Sequence, residues 1–217
     1  MPQVTEAMNL NELDAIIRRH AHFSDDALLN SWLTPETLSR YREWVPAPAA
    51  GETKLLDIGC YQPSIGYYQH LGWRSVVGLF KEEGEGCFAE EYKAEQDTAR
   101  TIAVDIETEA VPLADDWADA VLMMEVFEHF GIDPMHALWE ANRVLKPGGR
   151  LVFSTPNAAS FNNVYRILRG AAPYGAQEFN GYSTNRHNRI YDASELHTIL
   201  GQAGFHVETI ASRSYRQ

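Results

Sequence analysis

The chain has 217 residues, of which 45% are hydrophobic and 22% are charged, which is the composition of an ordinary globular protein. Eighteen basic against thirty acidic residues give a net charge of −12, and such a field repels the phosphates of nucleic acids. We therefore expect one main domain with extensions and no nucleic-acid partner.

The cysteine content and the hydropathy pattern indicate the cellular compartment in which we expect the protein. Cys60 and Cys87 are too few for a disulfide framework, and the sequence shows no signal peptide and no long apolar segment. We therefore expect a cytoplasmic protein with no direct membrane span.

The first fifty residues predict a helical N-terminal extension, residues 1–50, in front of a main domain at residues 51–217. Two groups of apolar residues recur at helical spacing, and Thr34 before Pro35 predicts the capped start of a third helix. The groups are Leu10, Leu13, Ile16 and Ile17, and then Leu28, Leu29, Trp32 and Leu33. These helices either cover one edge of a sheet or form a lid over a ligand.

Short apolar strands alternate with helices through the rest of the chain. The predicted strands are residues 54–58, 75–80, 101–107, 119–125, 150–156 and 205–212, and the predicted helices are residues 64–71, 135–145 and 194–201. The acid-rich residues 82–95 predict a loop and a helix. This alternation predicts an α/β fold with a doubly wound, mostly parallel sheet and right-handed crossovers.

The carboxyl ends of the predicted strands carry polar side chains. Asp57, Asp105, Glu125 and Asn157 each close one strand, and ligands of open α/β sheets bind at such ends. Residues 158–190 then interrupt the alternation with one predicted helix and a long loop. Because long loops in compact domains are usually functional, we interpret this insertion as a substrate cap.

Four stretches, LLDIGC, AVDIE, ADAVLMMEVFEHF and RVLKPGGRLVFSTPN, together resemble the class I S-adenosylmethionine-dependent methyltransferases over roughly residues 54–210. The resemblance implies a Rossmann-like methyltransferase fold and S-adenosyl-L-methionine as cofactor. The closing segment HNRIYDASELHTILGQAGFHV is similar to members that act on small molecules, sugars or lipid-linked intermediates.

The resemblance also implies which residues contact the cofactor. Asp57 would lie near the methionine ammonium and Asp105 near the adenine amino group, although each could instead cap the helix that follows its strand. The other implied cofactor positions lie on the same loops: Gly59, Cys60, Tyr61, Phe80, Ile106 and Glu125.

Three residues depart from the family pattern. Tyr61 and Pro63 stand where members usually have glycines. Phe80 stands where members usually have an acid that binds the ribose hydroxyls. Glu82 or Glu83 would then have to bind these hydroxyls instead. These departures leave open a non-catalytic methyltransferase-like binding or regulatory module with a degenerate cofactor site. A nicotinamide-dependent dehydrogenase is a third hypothesis, but the G-x-G-x-x-G turn is missing after the first strand.

Candidate catalytic residues follow the fourth strand and lie in the cap. His129 is the first candidate for a general base, and Glu128 either assists it or braces the turn with it. His187 in the cap is the second candidate. Possible substrate contacts are Asn157, Tyr182, Arg186 and Tyr191.

A metal site is not expected from the spacing. Glu125, Glu128 and His129 are close in sequence, but they lack the paired histidines of a zinc protease, and there is no cysteine cluster. The sequence therefore predicts a metal-free methyltransferase, a monomer or homodimer, that methylates an oxygen, or less readily a nitrogen, of a small-molecule, sugar or lipid-linked glycan acceptor.

Overall fold

The computed structural model of the chain describes residues 9–20, 34–61, 64–81, 91–93, 98–173 and 186–213. The chain divides into two compact units. The first unit contains residues 1–80, 86–103 and 213–217, and the second contains residues 81–85 and 104–212. Among the described helices, none combines the length and apolar character needed to cross a bilayer.

In the described part of the first unit, the strands follow the order β3-β4-β2-β1. They are β1 (Lys54–Ile58), β2 (Ser75–Phe80), β3 (Glu91–Lys93) and β4 (Thr98–Ala103). β2 pairs in parallel with β1 and with β4, whereas β3 is antiparallel to β4. β1 and β2 are almost entirely buried, which explains their continuous apolar sequence.

Two predicted elements in this part of the chain differ from the structure where it is described. The predicted strand at residues 101–107 ends at Ala103, because the N–H groups of Thr108 and Glu109 donate to the carbonyl of Asp105 and close a turn. Within the predicted loop and helix at residues 82–95, residues 91–93 form β3, and the other residues lie outside the described part.

The described residues of the first unit include the helices α1 (Leu10–His20), α2 (Pro35–Trp44) and α3 (Ser64–His70). The predicted cap of α2 is confirmed, since Oγ1 of Thr34 accepts a hydrogen bond from the N–H of Thr37 at 3.2 Å. Leu13 and Ile17 of α1 are fully buried, as their spacing predicts. The predicted helix around residues 28–33 lies outside the described residues.

The second unit is built on two parallel strands, β5 (Ala118–Met124) and β6 (Leu145–Ser154), joined by helix α4 (Pro134–Val144). Asp133 caps α4 by accepting from the N–H groups of Met135 and His136, each at 3.1 Å. Ala118 pairs with Leu145 but Ala120 pairs with Arg150, so the intervening Lys-Pro-Gly-Gly segment bulges out of the ladder. β6 therefore begins five residues before its predicted start at residue 150.

The described residues of this unit also form the helices α5 (Phe161–Leu168) and α6 (Ala193–Gln202), both close to their predicted positions. Asp192 and Glu195 form a capping box on α6. The predicted last strand at residues 205–212 was wrong, because these residues make no strand ladder and Ile210 is 42% exposed. Apolar alternation alone does not make a strand without a neighbouring edge to pair with.

Candidate active site

The end of β5 carries a strained residue. Glu125 has a φ of 57°, which a non-glycine residue rarely adopts. Its N–H donates to the carbonyl of Ser154 at 2.9 Å, and Oγ of Ser154 donates to Oε1 of Glu125, also at 2.9 Å. The second unit thus fixes this carboxylate at the carboxyl ends of its two strands, at a conformational cost on the order of 1–3 kcal/mol.

A short 3₁₀ turn, Phe127–His129, follows Glu125 and is held by an aromatic anchor. Phe127 is fully buried, and its ring centroid lies 5.2 Å from that of Phe153 and 4.9 Å from that of Tyr191. Because Phe127 cannot rotate without disturbing two neighbouring rings, the next two side chains of the turn have fixed directions.

Glu128 is a buried carboxylate with a defined orientation. The residue is 1% exposed, and Oγ1 of Thr155 donates to its Oε2 at 2.9 Å. Its other oxygen, Oε1, lies 3.8 Å from Nε2 of His129 and 4.0 Å from Nε2 of His187. The three side chains Glu128, His129 and His187 form what we call the His–Glu cluster.

The imidazole of His129 is held in one tautomer. Its Nδ1 lies 3.1 Å from the carbonyl oxygen of Arg186, and a carbonyl can only accept, so Nδ1–H is the donor. In the neutral ring, Nε2 therefore carries the lone pair on the side of Glu128. The ring of His187 stands edge-to-face with that of His129, with centroids 4.9 Å apart.

Asn188 joins the cap to the turn, and sequence reasoning missed it. Its N–H donates to the carbonyl of Glu128 at 2.6 Å, and its Nδ2 donates to the carbonyl of His129, also at 2.6 Å. A side chain at Gly131 would meet Nδ2 of Asn188 at 2.9 Å, so any larger residue at this position would displace the Asn188 amide. The only sequence signal for this connection is the placement of Asn188 directly after His187.

The predicted substrate contacts differ in their exposure and in their hydrogen-bond partners. Arg186 is exposed, and its Nε donates to Oδ1 of Asn188 at 2.9 Å. The ring of Tyr191 is 2% exposed and packs on Phe127, which is the position of a core residue.

Asn157 closes a turn, since its Oδ1 accepts from the N–H of Ala159 at 2.9 Å. Tyr182 lies outside the described residues.

In the first unit, the predicted cofactor residues surround the end of β1. Gly59 is exposed with a φ of 78°, and the N–H groups of Gly59 and Cys60 both donate to the carbonyl of Leu79, at 2.9 and 2.8 Å. Tyr61 is half-buried, and its carbonyl accepts from Oγ of Ser64 at 2.6 Å and from the N–H of Ser64 at 2.9 Å, where α3 begins. Phe80 is buried, so its ring contributes packing and no hydrogen-bond acceptor.

Asp57 is buried among polar side chains of the first unit. Oη of Tyr68 donates to its Oδ2 at 2.6 Å, and the thiol of Cys60 is a second hydrogen-bond partner. Burial raises the pKa of Asp57 to about 6, and the hydrogen bonds to Tyr68 and Cys60 limit that rise. Burial and the nearby Asp57 charge raise the pKa of Tyr68 well above its usual value.

In the second unit, the predicted adenine-side residues lie in the turn after β4. Oδ2 of Asp105 pairs with Nζ of Lys81 at 2.9 Å, and its Oδ1 accepts from the N–H of Glu107 at 3.2 Å. Ile106 is buried, and its carbonyl accepts from Nδ1 of His136 at 2.8 Å. Glu107, which sequence reasoning did not single out, is buried and accepts from the N–H of Ile132 at 2.7 Å.

Comparisons with known proteins agree on one family. The family model described as "Methyltransferase domain" matches residues 33–210. The chain is 35% identical over 98 residues to a "Probable S-adenosylmethionine-dependent methyltransferase" of Mycolicibacterium smegmatis, a match that covers 45% of this chain but only 32% of that relative. It is 25% identical over 170 residues to a "Ubiquinone biosynthesis O-methyltransferase" of Pseudomonas syringae, covering 75% of this chain and 68% of that relative.

A solved structure shows the same fold. A SAM-dependent methyltransferase from Archaeoglobus fulgidus superposes with a TM-score of 0.56 at 19% sequence identity, covering 84% of this chain and 75% of that one. The α/β, Rossmann-like methyltransferase fold predicted from the sequence is thereby confirmed. The chain belongs to the methyltransferase domain family, as a class I methyltransferase whose cofactor is S-adenosyl-L-methionine.

Proposed function

We propose that this protein transfers a methyl group from S-adenosyl-L-methionine to a hydroxyl oxygen of a small-molecule, sugar or lipid-linked glycan acceptor. The observation that carries the proposal is the His–Glu cluster, in which two imidazole nitrogens lie 3.8 and 4.0 Å from one buried carboxylate oxygen. Such a group suits a reaction that must remove a proton from a hydroxyl. The O-methyltransferase name of the Pseudomonas syringae relative supports the choice of oxygen.

The end of β1 fits a cofactor that approaches the backbone closely. Gly59 is exposed and has a φ of 78°, a left-handed conformation that favours glycine and leaves no side chain in the way. A side chain at Gly78 would meet Sγ of Cys60 at 2.5 Å, so the loop after β1 also lies directly against β2. We propose that Gly59, Cys60 and Tyr61 hold the cofactor from the first unit.

The chain's own residues would orient the acceptor and take its proton. When bound, S-adenosyl-L-methionine supplies a methyl group to the acceptor oxygen, and the electron pair of the breaking carbon–sulfur bond stays on sulfur. Nε2 of His129 is oriented to accept the hydroxyl proton, because Nδ1–H is engaged with the carbonyl of Arg186. The buried carboxylate of Glu128 then stabilises the positive charge that the imidazole gains.

The direct test is a screen of hydroxylated acceptors, scored by formation of S-adenosylhomocysteine and of the methylated product. The proposal predicts turnover of at least one hydroxyl acceptor, and a loss of about a hundredfold or more in kcat for the His129→Gln variant. His197→Gln is the matched control, because His197 lies on α6 outside the cluster. Cofactor binding without turnover of any acceptor would instead favour a non-catalytic binding module.

A further inference from the structure

We propose that Glu128, His129 and His187 bind one first-row divalent cation, such as Zn²⁺ or Mn²⁺. One ligand atom from each of these residues lies within 4.8 Å of the other two. Metal–ligand distances near 2.0–2.2 Å place two ligands of one ion roughly 3–4 Å apart. Shifts on the order of 0.5–1 Å in three side chains would therefore complete the coordination.

The donor set selects the class of cation. Two imidazole nitrogens and one carboxylate oxygen suit Zn²⁺, Mn²⁺, Fe²⁺ or Co²⁺, whereas Mg²⁺ and Ca²⁺ prefer oxygen ligands alone. The sequence-based expectation of no metal considered Glu125, Glu128 and His129 only. The fold brings His187 from the inserted cap to these residues and supplies the second imidazole.

The surroundings of the cluster orient two of its three ligand side chains, His129 and Glu128. Nδ1–H of His129 donates to the carbonyl of Arg186, which leaves Nε2 as the ligand atom. Oγ1 of Thr155 holds Oε2 of Glu128 and leaves Oε1 as the oxygen nearest both rings. Such outer partners, which fix the tautomer and direction of each ligand, are typical of metal sites in proteins.

The catalytic role of this ion rests on the proposed methyl transfer. An acceptor hydroxyl held by a dication loses its proton more readily, because the positive charge stabilises the oxygen that remains. With the ion bound, Nε2 of His129 is a metal ligand, and the ion replaces this nitrogen as the group that promotes loss of the hydroxyl proton. The proton then passes to solvent water. His187 thereby gives the predicted cap a direct role in the reaction, because this residue supplies one of the three metal ligands.

The test is calorimetric titration of Zn²⁺ into tag-free, EDTA-treated protein, followed by Co²⁺ absorption spectroscopy. We expect binding of one equivalent, with d–d absorption bands for Co²⁺. His187→Gln should weaken Zn²⁺ binding by about a hundredfold, because it removes a ligand from a residue whose side chain is only 34% exposed. Glu128→Gln, with circular dichroism to check folding, should weaken it at least as much, and His197→Gln should leave it unchanged.

The outcomes separate this inference from the proposed function. Failure of the wild type to bind Zn²⁺, or equal affinity in the wild type and His187→Gln, would overturn the metal site. Full methyl transfer by EDTA-treated enzyme would overturn the catalytic role of the ion and leave the proposed reaction standing. Zn²⁺ binding that depends on His187, together with no acceptor found in the screen, would support the site and count against the reaction.

Discussion

The hydroxyl of Thr155 donates to Oε2 of Glu128 at 2.9 Å and helps to fix the orientation of this carboxylate. The two residues come from the turn after β5 and from the segment that follows β6, so the contact joins the ends of two neighbouring strands. Glu128 is 1% exposed, and a carboxylate so deeply buried depends on each of its partners.

Thr155→Val should therefore lower the free energy of unfolding by about 1–3 kcal/mol, because it removes one hydrogen-bond donor from a buried carboxylate. Thr155→Ser keeps the hydroxyl and should stay within about 1 kcal/mol of the wild type. Urea denaturation followed by tryptophan fluorescence measures both. Equal stability of the two variants would show that the hydroxyl does not support Glu128.

Asp57 predicts a pH-dependent contribution to stability. Its pKa is raised from 3.8 to about 6 by burial, so between these values the folded protein holds the proton more tightly than the unfolded chain. The contribution of this group is therefore fully present below pH 3.8 and is lost as the pH rises through about 6. The difference in pKa corresponds to a loss on the order of 3 kcal/mol at neutral pH.

Asp57→Asn should remove this dependence, because the amide keeps an oxygen for Tyr68 but carries no charge. Relative to the wild type, the variant should gain stability as the pH rises from about 4 to about 7. Urea denaturation across that range measures the difference. A difference that stays constant with pH would contradict the raised pKa.

Gly78 lies where β2 meets the loop that follows β1. An added Cβ would stand 2.5 Å from Sγ and 2.7 Å from Cβ of Cys60, which is too close for any side chain. Gly78→Ala should destabilise the protein by about 1–3 kcal/mol through overpacking. Gly201→Ala is the control, because nothing lies within 4 Å of its added Cβ and alanine favours the helix α6. Thermal unfolding should separate the two variants, and equal melting temperatures would refute the close packing.

The strands were more predictable than the site, for a physical reason. β1 and β2 are buried runs whose apolar sequence marks both ends, and their predicted bounds match the structure. The contact of His187 with Glu128 depends on how an inserted segment folds back, and no local pattern encodes such a long-range contact. Asn188 and Thr155 stayed unnoticed because single hydrogen-bonding side chains have no periodicity.

Arg143 on α4 connects this helix to the segment before β5. Its guanidinium donates to Glu140, to Asp115 and to the carbonyls of Val111 and Leu113, at distances from 2.7 to 2.9 Å. Arg143→Lys should lower the free energy of unfolding by about 1–3 kcal/mol, since an ammonium cannot satisfy this planar set of acceptors. Asp115→Asn is the control and should cost less than about 1 kcal/mol, because the Asp115 side chain is 74% exposed. Chemical denaturation of both variants measures the contrast, and an equal loss in the two would contradict it.

Gly59 and Gly148 share a φ of 78°, which makes them a matched pair for testing the proposed cofactor contact. Alanine at either position should lower the free energy of unfolding by about 1–2 kcal/mol, because its side chain disfavours the left-handed backbone conformation. Gly59 lies at the end of β1, where we propose that the cofactor meets the backbone, whereas Gly148 lies in the bulge of β6.

Calorimetric titration of S-adenosyl-L-methionine should show affinity reduced by about tenfold or more in Gly59→Ala, which corresponds to at least about 1.4 kcal/mol. Gly148→Ala should bind like the wild type, although both variants lose stability to a similar extent. If the two variants bound the cofactor equally well, the loop after β1 would not be the cofactor contact. If both lost affinity equally, the loss would reflect the strained backbone and not contact with the ligand.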